Sequence, residues 1–400
     1  MVKEVEFHKK VLKKGLTVLF EKRNIPVVSI SCSVKFGSEF EPLALKGISH
    51  FIEHLLFKGT KNRDVKQISE EVEKKGGILN AFTSEEITSF WCKLSSNHLK
   101  TGLDLCSDLV LNPLFDEKQL EHERKVILEE IKMYYDNPQT HVFEKIKSLM
   151  YKSPFGLPIL GTTETMNKIS RIQVVDLFKK IYSTNNLILC AVGKADFKEI
   201  CEIGETYFPK TENMVQGRPI FREHGQLIEK RKGVDQANLI LGYHAPSMLD
   251  KKRYAAELFD VILGRGMSSR LFQEIREKRG LAYSVRGMLE QDKNYGHELI
   301  YVGTTKDKVE KCKEIILKEI KKMKELDFKD FEQAKEQLLG LRKVGIEDST
   351  ATMVNLISEE NAGNAEEHYK FEEKINKIKL KDVRELGNLK DYSFYALLPY

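Results

Sequence analysis

Two histidines and a glutamate inside an apolar run are the residues of this chain best suited to chemistry. In Ser49-His50-Phe51-Ile52-Glu53-His54-Leu55-Leu56-Phe57 the imidazoles stand four positions apart. On a helix they point the same way, one turn apart. Neutral imidazoles so placed make a two-point clamp for a metal that prefers nitrogen, and zinc fits that description. Glu53 precedes the second histidine and would reach water on the same ion. The order H-x-x-E-H reverses the commoner zinc-peptidase motif.

A third ligand must come from another element. The segment 117–135 reads as a helix stopped by Asn137-Pro138. Leu120, Ile127 and Tyr134 recur every seven residues along it and mark a core-facing seam. Glu123 and Glu130 fall on that seam; Glu121, His122 and Glu129 fall off it. Carboxylates on a buried stripe are costly unless a cation or donor meets them. A metal on His50 and His54 would meet one, and the seam leaves Glu123 and Glu130 both open as the ligand.

The remaining elements frame this pair of helices. Residues 15–20, 27–34, 78–83 and 87–92 read as strands, and 65–75, ending at Gly76-Gly77, as a helix. Helices are expected over 97–111 and 166–182, and a strand over 187–192. Polar, breaker-containing sequence from 209 to 225 reads as a linker.

The second half echoes the first about two hundred residues on. Glu73-Lys74-Lys75-Gly76 is answered by Glu277-Lys278-Arg279-Gly280, residues 115–128 by 328–341, and Asn167-Lys168-Ile169 by Asn376-Lys377-Ile378. Both halves close on an apolar strand, 187–192 and 393–398. The expectation is an α+β chain of two homologous α/β domains from an internal duplication, each a mainly antiparallel sheet packed with helices. The domains would be 1–210, catalytic, and 226–400, joined by a linker at 211–225. The second copy has lost the metal residues: its counterpart segment, 254–263, is an apolar helix. One chemically live half suggests a binding role for the other. Arg276 and Tyr283, flanking a helix-to-strand junction, are placed to meet a shared carbonyl.

Length and composition bound the class. At 400 residues the chain exceeds one ordinary core, so two domains are the default. The 65 basic and 60 acidic residues leave a net charge of +5, too balanced to argue for nucleic acid or membrane partners. Six scattered cysteines without a C-x-x-C read as thiols in a reducing compartment. The opening residues lack an apolar signal core, and no apolar run is long enough to span a bilayer. The expected location is cytoplasmic.

Together these residues resemble the pitrilysin/insulysin/mitochondrial-processing-peptidase family of zinc peptidases, in its short two-domain form. The matches are His50 to His54 followed by Phe57-Lys58-Gly59-Thr60, then Asn80-Ala81-Phe82-Thr83, Glu123-Arg124 with Glu130-Ile131, and Arg279-Gly280-Leu281-Ala282-Tyr283-Ser284-Val285. They run through nearly the whole chain in family order. The resemblance implies one zinc ion per chain on His50, His54 and Glu130, with Glu53 as general base. It counts Glu123 among the catalytic residues, as a carboxylate beside the metal. Asn80, Ala81 and Phe82 would lie on an edge strand that takes the substrate as a further strand. Arg276 and Tyr283 would contact the substrate backbone or oxyanion. The implied activity is a zinc-dependent endopeptidase that hydrolyses unstructured peptides or short extended segments through a zinc-activated water. Because one chain carries both the metal set and the Arg/Tyr pair, a homodimer is implied, without nucleic acid or membrane. The competing reading is a noncatalytic scaffold or peptide-binding subunit of the same fold.

Overall fold

A computed structural model describes residues 5–400. The first half runs β1 (Glu6–Val11), β2 (Thr17–Lys22), β3 (Val27–Val34), α1 (Ile48–Leu56), α2 (Val65–Glu73), β4 (Ile78–Thr83), β5 (Thr88–Ser95), α3 (Leu99–Leu111), α4 (Glu117–Asp136), α5 (Pro138–Met150), α6 (Thr163–Lys168), α7 (Arg171–Ile181), β6 (Leu187–Gly193) and α8 (Phe197–Tyr207). The second runs β7 (Gln226–Arg231), β8 (Ala237–His244), α9 (Arg253–Leu263), β9 (Ala282–Gln291), β10 (Gly296–Thr304), α10 (Val309–Lys322), α11 (Phe328–Gly345), α12 (Ser349–Ala362), α13 (Phe371–Lys377), α14 (Leu380–Leu386) and β11 (Ser393–Pro399).

The duplication is visible in the sheets. One has the order β1-β2-β6-β3-β5-β4 and the other β7-β11-β8-β10-β9. With β1 set aside, the two orders superpose strand for strand. Each sheet contains one parallel pair, β2 with β6 and β7 with β11, and is otherwise antiparallel. The fold is therefore α+β, with a mixed, mainly antiparallel sheet packed with helices in each half.

The chain forms two compact units, neither contiguous in sequence. One comprises Met1–Ile131, Pro158–Arg218 and Gly345–His368; the other Lys132–Leu157, Pro219–Val344 and Tyr369–Tyr400. Each sheet is covered partly by a helix from the other half of the sequence. In the first unit α12 packs on β3 and β6. The strand pattern explains how: Val28, Ile30, Cys32 and Val34 enter the main core, while the alternating Ser29, Ser31 and Ser33 face the other way and are also buried. Small side chains let the helix approach, and Ser29 Oγ lies 2.8 Å from Ser349 Oγ. In the second unit α5 packs on β8 and β11. There Gly242 plays the part of the serines: a Cβ on it would lie 2.5 Å from Met150 Sδ.

Two expected elements differ. The helix read over 166–182 is broken into α6 and α7, because Ser170 begins a new helix through a capping box with Gln173. Asn137-Pro138 ends α4 but at once starts α5, with Asn137 as cap and Pro138 in the first turn, where its missing N–H costs nothing.

α1, which carries the histidines, is fixed at its start by buried charge. Gly47 has no side chain to cap the helix, and its φ of +96 with a Cβ position 2.5 Å from Leu160 O admits only glycine. Glu41 caps from outside, accepting from the N–H groups of Gly47 at 2.9 Å and Ser49 at 2.7 Å. Its carboxylate lies 3.6 Å from the Lys46 ammonium, and neither side chain is exposed. Replacing Glu41 with Ala removes the cap and leaves the Lys46 charge buried without its carboxylate. The expected loss is about 3–5 kcal/mol, read by chemical denaturation. A loss under about 1 kcal/mol would show that the pair does not hold the helix.

Candidate metal centre

All groups of the H-x-x-E-H motif and both seam glutamates lie in the first unit. α1 buries Ile48, Phe51, Ile52, Leu55 and Leu56 against the sheet. Its opposite face turns His50, Glu53 and His54 toward α4. On α4, Leu120 and Ile127 are buried, and Glu123 and Glu130 share their stripe. The periodicity of the sequence thus sets which carboxylates meet the histidines.

His50 Nε2 lies 3.8 Å and His54 Nε2 3.7 Å from the same oxygen of Glu130. The donor atoms of these three residues all lie within 4.8 Å of one another. Donors held tetrahedrally by zinc bonds of about 2.0–2.1 Å stand roughly 3.4 Å apart, so a small contraction would suffice. Burial, then the neighbouring His54, keeps the His50 imidazole neutral down to about pH 3. A neutral ring is the form that binds metal. Its Nδ1 is buried without a hydrogen-bond partner among the described residues, which sets it apart from a satisfied core histidine. The residues present therefore fit a zinc ion.

Glu123 stands one step back. Its Oε2 lies 3.1 Å from His54 Nδ1, and its Oε1 lies 3.0 Å from the Lys58 ammonium. With His54 Nδ1–H donating to this carboxylate, Nε2 keeps its lone pair for the Glu130 side. Lys58 was visible in the sequence only as part of the stretch behind the motif. Its place four residues after His54 gave no sign that it pairs with Glu123.

Glu53 is joined to the sheet edge. The Thr83 hydroxyl, at the end of β4, donates to Glu53 Oε2. Burial pushes the Glu53 carboxyl above the usual carboxylate range; the Thr83 hydrogen bond and His54 oppose this. Burial raises Glu130 too, against the opposing pull of His54. β4 is the last strand of its sheet, bonded to β5 on one side only. Asn80 is exposed on it, and Ala81 and Phe82 are half-buried. Reading the sequence as a strand could place these residues, but not find the Thr83 contact.

Arg276 and Tyr283 belong to the second unit. They meet each other there: the guanidinium donates to the Tyr283 carbonyl at 3.0 Å and sits 4.7 Å from the centre of its ring. Tyr283 is 80% exposed, far more than a tyrosine that only fills a strand.

Comparison with known proteins agrees with this architecture. Residues 17–163 match the insulinase family (peptidase family M16), and residues 168–338 match the M16 peptidase inactive domain. An uncharacterized zinc protease of Rickettsia bellii is 36% identical over 340 residues, covering 83% of this chain and 82% of its own. The uncharacterized zinc protease YmxG of Bacillus subtilis is 29% identical over 398 residues, 96% of each chain. The crystal structure of a protease from Helicobacter pylori has the same fold, with a TM-score of 0.91 at 22% identity over 99% of this chain and 100% of that one. These findings define a two-domain chain built like the zinc proteases. The chain belongs to peptidase family M16.

Proposed function

We propose that this chain is a zinc-dependent endopeptidase that hydrolyses unstructured peptides or short extended segments. The observation that carries the reading is the convergence of His50, His54 and Glu130 beside a half-buried glutamate that is hydrogen-bonded to an open sheet edge. His50, His54 and Glu130 would hold one zinc ion per chain. Zinc bound there supplies a Lewis acid and lowers the pKa of a bound water from about 15.7 toward about 7. Glu53 accepts the proton of the attacking water and returns it to the leaving amine. Glu123 fixes the tautomer of His54, and Lys58 balances its charge. The β4 edge, with Asn80, Ala81 and Phe82, receives the peptide as an added strand, which reads backbone and so selects extended chains. Arg276 and Tyr283 contact the substrate backbone or the developing oxyanion. Their family match and their exposure support this. The presence of both the metal set and the Arg/Tyr pair on one chain argues for a homodimer, and six buried free cysteines suit the cytoplasm. Among the described residues no helix is long and apolar enough to cross a membrane.

The test is cleavage of a quenched fluorescent library of unstructured peptides. The expected result is cleavage that a chelator abolishes and zinc restores, from a species twice the 46.2 kDa chain mass by light scattering. Cleavage indifferent to chelator would overturn the zinc reading, and a monomer that cleaves would remove the dimer.

Thr83 gives a finer check. Thr83→Val deletes the hydroxyl that holds Glu53, and kcat should fall about 10-fold with KM nearly unchanged, the cost of one lost hydrogen bond to a charged group. Thr83→Ser should restore most of it. A rise in KM alone would assign Thr83 to peptide binding.

A further inference from the structure

The second unit contains a cavity of about 390 Å³ that the peptidase reading does not use. Its walls include polar atoms without partners on the buried Tyr243 and the half-buried His244. Among the described residues the Tyr243 hydroxyl, on a residue 7% exposed, has no hydrogen-bond partner, and neither has His244 Nδ1. The tautomer of His244 follows from its other nitrogen: Nε2 lies 3.2 Å from the Glu223 carbonyl, an acceptor, so Nε2 carries the proton and Nδ1 is a bare acceptor. Glu298, 2% exposed, also lines the cavity. Its carboxyl neighbours Asp260, which is paired with Arg265, Nε lying 2.6 Å from Oδ2. Glu298 Oε1 is likewise buried with no hydrogen-bond partner among the described residues, and burial, then the neighbouring Asp260, pushes the Glu298 carboxyl above the usual carboxylate range. Buried polar groups left unpaired are costly, and a ligand that pairs them recovers that cost.

The complement of this wall is a cluster of N–H donors. An ammonium group provides three, together with a positive charge to set against the unpaired Glu298 carboxyl. Phe259, Leu289 and Leu389 supply an apolar side, and the exposed lining residues carry both signs, Arg222 and Lys390 against Asp391 and Glu385, the last already paired with Lys252. The volume lies at the low end of small-molecule pockets. We infer that this cavity binds a small apolar amino acid in its zwitterionic form, with the ammonium toward Glu298, Tyr243 and His244 and the carboxylate toward Arg222 and Lys390. The site does not depend on the metal centre, which lies in the other unit.

The test is calorimetric titration of the zinc-loaded wild-type chain with leucine, N-acetyl-leucine and leucinamide. Leucine should bind saturably. N-acetyl-leucine, which lacks the ammonium, should bind at least about tenfold more weakly, and leucinamide, which lacks only the carboxylate, should fall between them. Tyr243→Phe and Glu298→Gln should each weaken leucine about tenfold or more, and Leu389→Trp, which fills the cavity from its apolar side, should abolish binding. His54→Ala should leave leucine binding unchanged, even though peptide cleavage is lost. No saturable binding, equal binding of N-acetyl-leucine, or loss of leucine binding in His54→Ala would each overturn the assignment; the last would place the amino acid at the metal centre.

Discussion

Glu53→Gln is expected to lower kcat/KM for peptide cleavage by roughly 10²–10⁴-fold while zinc content stays at the wild-type level. Glutamine keeps the shape and can still accept from the Thr83 hydroxyl, so the sheet edge and the helix should not move. What it cannot do is take a proton. In free-energy terms the loss is about 3–5 kcal/mol of transition-state stabilisation. The residue is half-buried on α1 and its hydrogen bond to Thr83 survives the change, so circular dichroism and denaturation midpoints should be close to wild type. Wild-type turnover in this variant would remove Glu53 from the role of base and reopen the reading of the chain as a scaffold or peptide-binding subunit.

The second large effect concerns the ligands. Glu130→Ala or His54→Ala would take away one of the three proposed donors. Removal of a group that merely supports a ligand typically weakens metal binding 10–100-fold, and losing a ligand itself should exceed that. After dialysis both variants should retain far less zinc than wild type and show no chelator-sensitive cleavage. Glu123→Gln belongs to the milder class: it keeps a partner for His54 but gives up the charge, and a 10–100-fold loss of affinity is expected. Thermal unfolding separates the two. At a hundredfold excess of zinc over its dissociation constant, binding stabilises the wild type by about 2.7 kcal/mol, so chelation should lower its Tm, whereas chelation should not move Glu130→Ala at all. Full zinc retention by Glu130→Ala would mean that another group completes the centre.

The parts of this arrangement that were legible in the sequence are those encoded by periodicity. The four-residue spacing of His50 and His54 puts them on one face of α1, and the seven-residue recurrence of Leu120 and Ile127 puts Glu123 and Glu130 on the stripe that meets it. The seam alone could not choose between those glutamates, because both face inward; the distances to Glu130, and the contact of Glu123 with the far nitrogen of His54, separate them geometrically. The strand order repeats across the halves because the duplicated segments repeat in the chain. Other features have no local signal. β1 is a mostly polar, exposed strand without alternation, recognisable only by its pairing with β2. α12 has apolar residues on no single dominant stripe, and the surface it covers is a row of serines that reads as polar strand filler. Which sheet α5 and α12 cover depends on tertiary packing alone. The Thr83 and Lys58 contacts likewise join residues whose separation in sequence carries no pattern.

The central claim is that His50, His54 and Glu130 together bind one zinc ion. A zinc K-edge absorption spectrum of the purified wild-type chain, combined with its metal content, tests this most directly. The account predicts one zinc per chain, with a first coordination sphere of two imidazole nitrogens and oxygen at about 2.0–2.2 Å and no sulfur. Sulfur near 2.3 Å, or a chain that takes up no zinc, would contradict it.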